Sequence, residues 1–157
     1  MKRSKTPPPS ERFKPAGETL QFMQRLWDLA HALDVRSKRM ARELGVTGPQ
    51  RLVVRLVGQA PQVTAGEIAA ALGMHRSTLT GVLGRLHHQG LLARTVDAAD
   101  RRRSRFTLTA KGKAIDHERK GTVESAVRRA LARSDDRRIE ATLRLIELLV
   151  AELGRND

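Results

Sequence analysis

The stretch TAGEIAAALGMHRSTLTGVLGRL, residues 64–86, decides the fold. The Thr64 hydroxyl and Glu67, three residues on, have the spacing of a capping box, so a helix starts here and carries Ile68, Ala69 and Leu72. It stops at Gly73, whose missing Cβ permits a turn too short for most residues. A second helix follows Met74-His75, places Leu79, Val82, Leu83 and Leu86 on one side, and ends near Gly90, a residue suited to a left-handed cap. Ile68, Leu72, Met74, Leu79 and Val82 supply the buried face, and Ala69 is small where the two helices must approach. Together these are the requirements of a helix-turn-helix. The second helix turns Arg76, Ser77, Thr78, Thr80 and Gly81 outward, with His75 at its start. Short hydroxyls and an arginine near a helix start suit base edges and phosphates in a major groove about 12 Å wide. A helical hairpin with a solvated polar face is the plainer reading of the same pattern.

Working outward toward the C-terminus, Leu91 to Val96 and Arg105 to Thr109 are strand-forming and flank Asp97-Ala98-Ala99-Asp100-Arg101-Arg102-Arg103-Ser104. A hairpin directly after a helix-turn-helix is a wing. Its tip carries Arg101, Arg102 and Arg103, able to reach a minor groove or backbone phosphates, with Asp100 placed to pair with one of them. Beyond it Ala114, Ile115, Val123, Val127, Ala130 and Leu131 give one helical pattern, interrupted at Ser134-Asp135. Ile139, Leu143, Ile146, Leu149, Val150 and Leu153 give another.

Toward the N-terminus, Leu20, Met23, Leu26, Trp27, Ala30, Leu33, Met40 and Leu44 recur mostly at helical steps, and Gly45 ends this long helix. Thr47-Gly48-Pro49 opens a short helix expected to turn Leu52, Val53, Leu56 and Val57 inward before Ala60-Pro61 closes it. The head of the chain, with Lys2, Arg3, Lys5, Arg12 and Lys14 around three consecutive prolines, reads as a flexible basic arm over residues 1–17.

The 157 residues hold 30 Lys and Arg against 17 Asp and Glu, a net charge of +13, which calls for a polyanionic partner. The excess is not uniform. Residues 64–113 carry nine basic and three acidic side chains, whereas residues 114–157 carry nine of each. The balanced tail reads as scaffold or dimer interface and the basic middle as the partner-facing part. Zero cysteines exclude disulfides, thiolate metal sites and thiol sensing, and fit a reducing cytoplasm. No apolar run approaches the roughly 20 residues of a membrane span. There is no nucleophile elbow, phosphate-cradling loop or apolar pair of carboxylates, so no enzyme is expected; Gly81 and Gly84 lie inside a helical pattern. The histidines have no metal-ligand spacing, so neither a metal nor a cofactor is expected.

The order and spacing of these pieces resemble the MarR family of winged helix-turn-helix transcriptional regulators, over nearly everything after residue 17. The resemblance rests on Leu44-Gly45-Val46-Thr47 with Gln50, Gly66-Glu67-Ile68-Ala69 and Leu72-Gly73. Arg76-Ser77-Thr78-Leu79-Thr80, Leu86 with Gly90-Leu91-Leu92, Asp97 with Asp100-Arg101-Arg102, and Leu108-Thr109 with Gly112 complete it. It implies a mainly α fold with a small β-hairpin wing, and N- and C-terminal dimerisation helices. It further implies a homodimer straddling a palindromic operator in double-stranded DNA, with Ser77, Thr78 and Thr80 at the groove and Asp100 and Arg102 in the wing. His75 departs from the acidic or small polar residue common in the family and offers a phosphate donor instead.

The expected organisation is a dimerisation helix over residues 18–46, a DNA-binding domain over 47–110 and dimerisation helices over 111–157. A cytoplasmic regulator, most simply a repressor released by a small molecule, is the function expected; a non-specific basic architectural DNA- or RNA-binding protein is the alternative. In similar proteins such compounds bind between the dimerisation helices and the winged domain. Trp27 and His31, one turn apart, are the candidate pocket wall, although a lone Trp on an apolar stripe is more often core.

Overall fold

The computed structural model describes residues 17–155 other than Ala99. The basic arm read over residues 1–17 therefore lies, apart from Gly17, outside the described residues. Seven helices and three strands follow in the order α1 (Glu18–Leu44), α2 (Gly48–Gln59), β1 (Val63–Thr64), α3 (Ala65–Leu72), α4 (Arg76–His88), β2 (Leu92–Val96), β3 (Ser104–Leu108), α5 (Ala110–His117), α6 (Val123–Leu131) and α7 (Asp136–Leu153). The fold is mainly helical with a small antiparallel sheet as its wing.

The chain divides into two compact units, one ending at Val35 and one beginning at Arg36. The first is the N-terminal part of α1. Its apolar residues are largely exposed, Trp27 at 65% and Leu20 at 58%, so in the single chain Trp27 is not a core residue.

The second unit holds the core. Its helices begin where the sequence supplies caps: Thr47 with Gln50 and Thr64 with Glu67 both form complete capping boxes. In the second, the Glu67 carboxylate accepts from the Thr64 backbone N–H at 2.7 Å and from its hydroxyl at 2.7 Å. Those bonds hold Glu67 below the usual carboxylate range. Gly73 closes α3 at φ +59, in the left-handed region that only glycine adopts without strain. Val46, Val53, Val54 and Val57 then meet Ile68, Leu79, Val82, Leu83 and Leu86 across the helix-turn-helix, with Leu91, Leu92 and Phe106 from the wing below them. Each such side chain taken out of water contributes about 1.5–3 kcal/mol. Leu52, expected inward, is 52% exposed and Val54 takes its place. On α2 the inward stripe is centred on Val53, Val54 and Val57, so Leu52 falls on the opposite side.

β3 is central in the sheet order β1-β3-β2. It pairs with β2 from Leu92 opposite Leu108 to Val96 opposite Ser104, and with the two-residue β1, where Val63 lies opposite Phe106. The wing is thus three-stranded rather than a bare hairpin, and β1 ties it to the start of α3. At its base, Gly112 in the first turn of α5 lies so close to the Leu91 carbonyl that a Cβ there would sit 3.1 Å from the carbonyl carbon and nearer still to its oxygen. Only glycine fits.

The helical pattern read as continuous from Ala114 to Leu131 is broken. α5 ends at His117, Gly121 stands at φ +78, and Thr122 restarts the chain as the N-cap of α6, its hydroxyl accepting from the Ser125 N–H at 3.2 Å. The break is held by Arg51 of α2, which is 1% exposed. Its guanidinium donates to the carbonyls of Ile115, Asp116 (3.2 Å) and Glu118 (2.6 Å) and to the Glu124 carboxylate at 2.7 Å. Carbonyls left over at the end of α5 are satisfied by a cation, which also suits the negative end of the helix dipole. Beside it Arg55 pairs with Asp116 at 2.7 Å.

Candidate nucleic-acid interface

α4 is anchored by Leu79, Val82, Leu83 and Leu86, all at most 5% exposed, which fixes the rotation of the helix about its axis. Arg76, Ser77, Thr78 and Thr80 consequently all face solvent, as does His75 at the N-cap. His75 makes no side-chain cap bond, so the first N–H groups of α4 are left to an outside acceptor, the arrangement that receives anions at helix starts. Arg76 has no acidic partner among the described residues, and Ser77 and Thr78 have both hydroxyl functions free. Thr80 differs. Its Oγ1 donates to the Arg76 carbonyl at 2.8 Å, so the proton is spent and the oxygen faces outward as an acceptor only.

The wing tip is organised by two aspartates. Asp100 accepts from the backbone N–H of Arg102 at 3.0 Å and pairs with Arg102 Nε at 3.4 Å and Arg103 Nε at 3.2 Å. The sequence placed one arginine on this carboxylate; the structure places two. Both remain exposed, at 93% and 68% of the side chain, so Asp100 orients them without removing them from solvent. Arg101 is exposed and has no acidic partner among the described residues. Asp97, at the foot of the tip, is buried: its N–H donates to the Arg103 carbonyl at 3.0 Å and its carboxylate pairs with Arg105 at 2.7 Å. Arg105 also donates to the Gln62 carbonyl beside β1 at 3.0 Å.

Between α4 and the wing runs a groove of about 770 Å³, bordered by Arg76, Thr80 and His87 on the helix and by Arg94, Arg102 and Arg103 on the wing. The helix start and the wing tip therefore present their cations to one concave surface. Sequence reading missed Arg94, which donates to Ser104 Oγ at 2.7 Å, and the Asp97–Arg105 pair beneath the tip. The alternation of β3 was the available signal: with Phe106 inward, Arg105 and Thr107 must face the other way.

The MarR family's sequence model matches residues 44–103, which span α2, the helix-turn-helix and the wing tip. Over that stretch the chain is similar to the MarR family. An HTH-type transcriptional repressor of Mycobacterium tuberculosis is 31% identical over 90 residues, covering 57% of this chain and 65% of that protein. The chain thus matches somewhat under two thirds of the length of that curated relative. Among solved structures, a MarR family transcriptional regulator from Streptomyces coelicolor in complex with DNA matches with a TM-score of 0.73 at 18% identity, covering 92% of this chain and 96% of that one. The PcaV transcriptional regulator of Streptomyces coelicolor, in complex with its natural ligand, matches with a TM-score of 0.68 at 22% identity over 88% and 96% of the two chains. These likenesses show the fold of those proteins over about nine tenths of this chain.

Trp27 and His31 are both exposed on α1, and neither borders the α4–wing groove. Among those residues no three His, Asp or Glu side chains gather as for a metal, and no helix is long and apolar enough to cross a membrane.

Proposed function

We propose that this chain is a regulator of the MarR type: a dimeric, sequence-specific DNA-binding transcriptional regulator, a repressor in its simplest mode, and not an enzyme. One observation carries the reading: the exposed face of α4 and the arginines held by Asp100 open on the same groove. α4 enters the major groove, where Ser77, Thr78 and Thr80 meet base edges. His75, Arg76 and the free N–H groups at the helix start take a phosphate. Arg101, Arg102 and Arg103 of the wing lie on the neighbouring backbone or minor groove. DNA in complex with the Streptomyces coelicolor relative supports the reading.

Dimerisation is supported by the apolar surface of α7, where Leu143, Leu148, Val150 and Leu153 are 56% to 80% exposed, and by the exposed apolar residues of α1. Such faces are the mark of helices that bury against a partner. Two winged domains related by a two-fold axis then read a palindrome with half-sites about one helical turn apart. In this reading the division of labour is a dimerisation helix over residues 18–46, a DNA-binding domain over 47–110 and dimerisation helices over 111–157. Trp27 and His31 form part of a wall for a small-molecule effector, a role supported by the natural ligand bound to the PcaV regulator. The protein works in the cytoplasm.

A binding selection on random duplexes tests the function. A palindromic consensus, held about 10³-fold or more over random duplex, is the expected result. Tight binding with no consensus would overturn it in favour of a non-specific architectural protein. Light scattering at micromolar concentration is expected to give twice the chain mass, and a monomer would remove the palindrome argument.

A further inference from the structure

Away from the α4–wing groove, cations also gather at the break between α5 and α6. Arg36 and Arg39 of α1, Lys120 of the break and Arg129 of α6 border a cavity of about 530 Å³, together with Glu43 and Glu118. The two carboxylates are already committed. Glu43 accepts from Arg39 at 2.7 Å, and that bond holds it below its usual range. Glu118 accepts from the backbone N–H groups of Arg119 and Lys120 at 2.9 and 2.8 Å. Arg36, Lys120 and Arg129 form no ion pair among the described residues, although Arg36 acts on Glu43 at longer range. Arg36 Nε is shut off from solvent, and so from the cavity, and has no hydrogen-bond acceptor. A shielded donor without an acceptor is costly, so a shift of this side chain that brings its guanidinium onto an oxyanion in the cavity is favoured.

We infer that this cavity between the end of α1 and the α5–α6 break is a binding site for a small polyanion, a compound carrying two or more carboxylate or phosphate groups. Its size is within the range of sites for small ligands. Four cations against two carboxylates leave an excess of two positive charges on the lining, which calls for more than one negative charge from the occupant. Lys120 and Gly121 belong to the break itself, so an anion bridging Lys120 to Arg36 and Arg129 joins α1, the break and α6 into one body. Nothing in this assignment requires the DNA-binding reading, and it is independent of the pocket wall proposed at Trp27 and His31.

The probes are citrate, pyrophosphate and inorganic phosphate, titrated calorimetrically into the full chain at ionic strength matched with sodium chloride. Matching matters because a chain of net charge +13 attracts any anion loosely. The expected result is saturable binding of one anion per chain by citrate or pyrophosphate, with phosphate weaker. Each of Arg36→Gln and Lys120→Gln should weaken it about tenfold, the cost of one charge-assisted bond. Arg101→Gln and Arg102→Gln at the wing should change it less than about twofold. Lys120 is exposed in the break, so its variant folds even if Arg36→Gln does not. Bound anion should also slow amide hydrogen exchange over residues 118–122. No saturable heat with any of the three probes overturns the site. So does a loss that follows the wing variants instead, which would put the anion on the DNA face.

Discussion

Removing the Arg51 guanidinium tests what holds the winged domain to the C-terminal helices. Arg51 is 1% exposed and serves four acceptors on two other segments: the carbonyls of Ile115, Asp116 and Glu118, and the Glu124 carboxylate. Breaking a buried ion pair from one side costs about 3–5 kcal/mol, and orphaned carbonyls belong to the same loss. The pair and the carbonyls can be separated. The Glu124 side chain is 27% exposed, so water compensates it when Arg51 goes; the Asp116 carbonyl keeps Arg55 and Arg119 and the Ile115 carbonyl keeps the Glu118 N–H, whereas the Glu118 carbonyl loses the donor that Arg51 supplies at 2.6 Å. We therefore expect Arg51→Met to cost about 3–5 kcal/mol and Glu124→Gln about 1 kcal/mol. Arg51→Met with Glu124→Leu should recover little, because the Glu118 carbonyl stays without its donor and those of Ile115 and Asp116 each lose one. Arg51→Lys should fail as well, since a point-charge ammonium cannot fork to three carbonyls. The assay is urea unfolding followed by circular dichroism at fixed protein concentration, which keeps any dimer linkage constant. With a slope of about 2 kcal/mol per M, Arg51→Met lowers the midpoint by about 2 M. A shift below about 0.5 M, or full recovery in the double variant, would refute the assignment of the stability to the carbonyl clamp.

Gly112→Ala should destabilise, although the same change at an open helix position would stabilise by about 1 kcal/mol, because its Cβ meets the Leu91 carbonyl; a melting temperature equal to or above the parent's would contradict the packing at the wing base. On DNA, Arg102→Ala should weaken operator and random duplex alike and lower the salt slope by about 0.9 per site, whereas Thr80→Ala narrows the gap between them by about fivefold. The reverse pattern in a filter-binding titration would exchange the roles of wing and helix. With Arg76, Arg101, Arg102 and Arg103 each meeting a phosphate in both protomers, the slope of log affinity against log salt should be about −7. Burial pushes Glu124 upward, but the hydrogen bond and charge of Arg51 outweigh it and its carboxyl sits below the ordinary 4.5. The stability from this pair is thus complete above the unfolded value and lost as pH falls through the lower folded one. Melting temperature followed from pH 6 to about 3 should fall less in Glu124→Gln than in the parent.

The helix-turn-helix and the wing tip were legible because their determinants are local. Thr64 caps with Glu67 three residues away, Gly73 turns immediately after α3, and Asp100 meets Arg102 and Arg103 within three residues. A spacing in the sequence is then a spacing in the structure. β1 was missed because two residues show no periodicity, and its only sign is a partner in β3 more than 40 positions on. The break after α5 was missed for a different reason. Ala114, Ile115, Val123 and Val127 keep a helical pattern on both sides, and Gly121 with Thr122 is a short signal inside it. What makes the break stable is Arg51, 73 positions from Glu124.

The same distinction sorts the arginines by what they can do. In sequence Arg51, Arg55 and Arg105 look as available for phosphate as Arg76 and Arg102. Arg51 and Arg55 are held by Glu124 and Asp116 on elements more than 60 positions away, and Arg105 is held by the buried Asp97 and the Gln62 carbonyl. A guanidinium already held in this way gains little from a phosphate, because leaving its place strips acceptors that it alone satisfies: the Glu118 carbonyl for Arg51, and the Asp116 and Asp97 carboxylates, 13% and 7% exposed, for Arg55 and Arg105. Arg102 and Arg103 share one half-exposed Asp100 instead, so a phosphate can join them without stripping that carboxylate of its backbone N–H. The net charge of +13 therefore overstates the surface that meets a polyanion. At the wing the burial of the acid decides whether an arginine faces outward: Asp100 at the tip is 32% exposed and leaves Arg102 and Arg103 in solvent, whereas Asp97 at its foot is 7% exposed and holds Arg105.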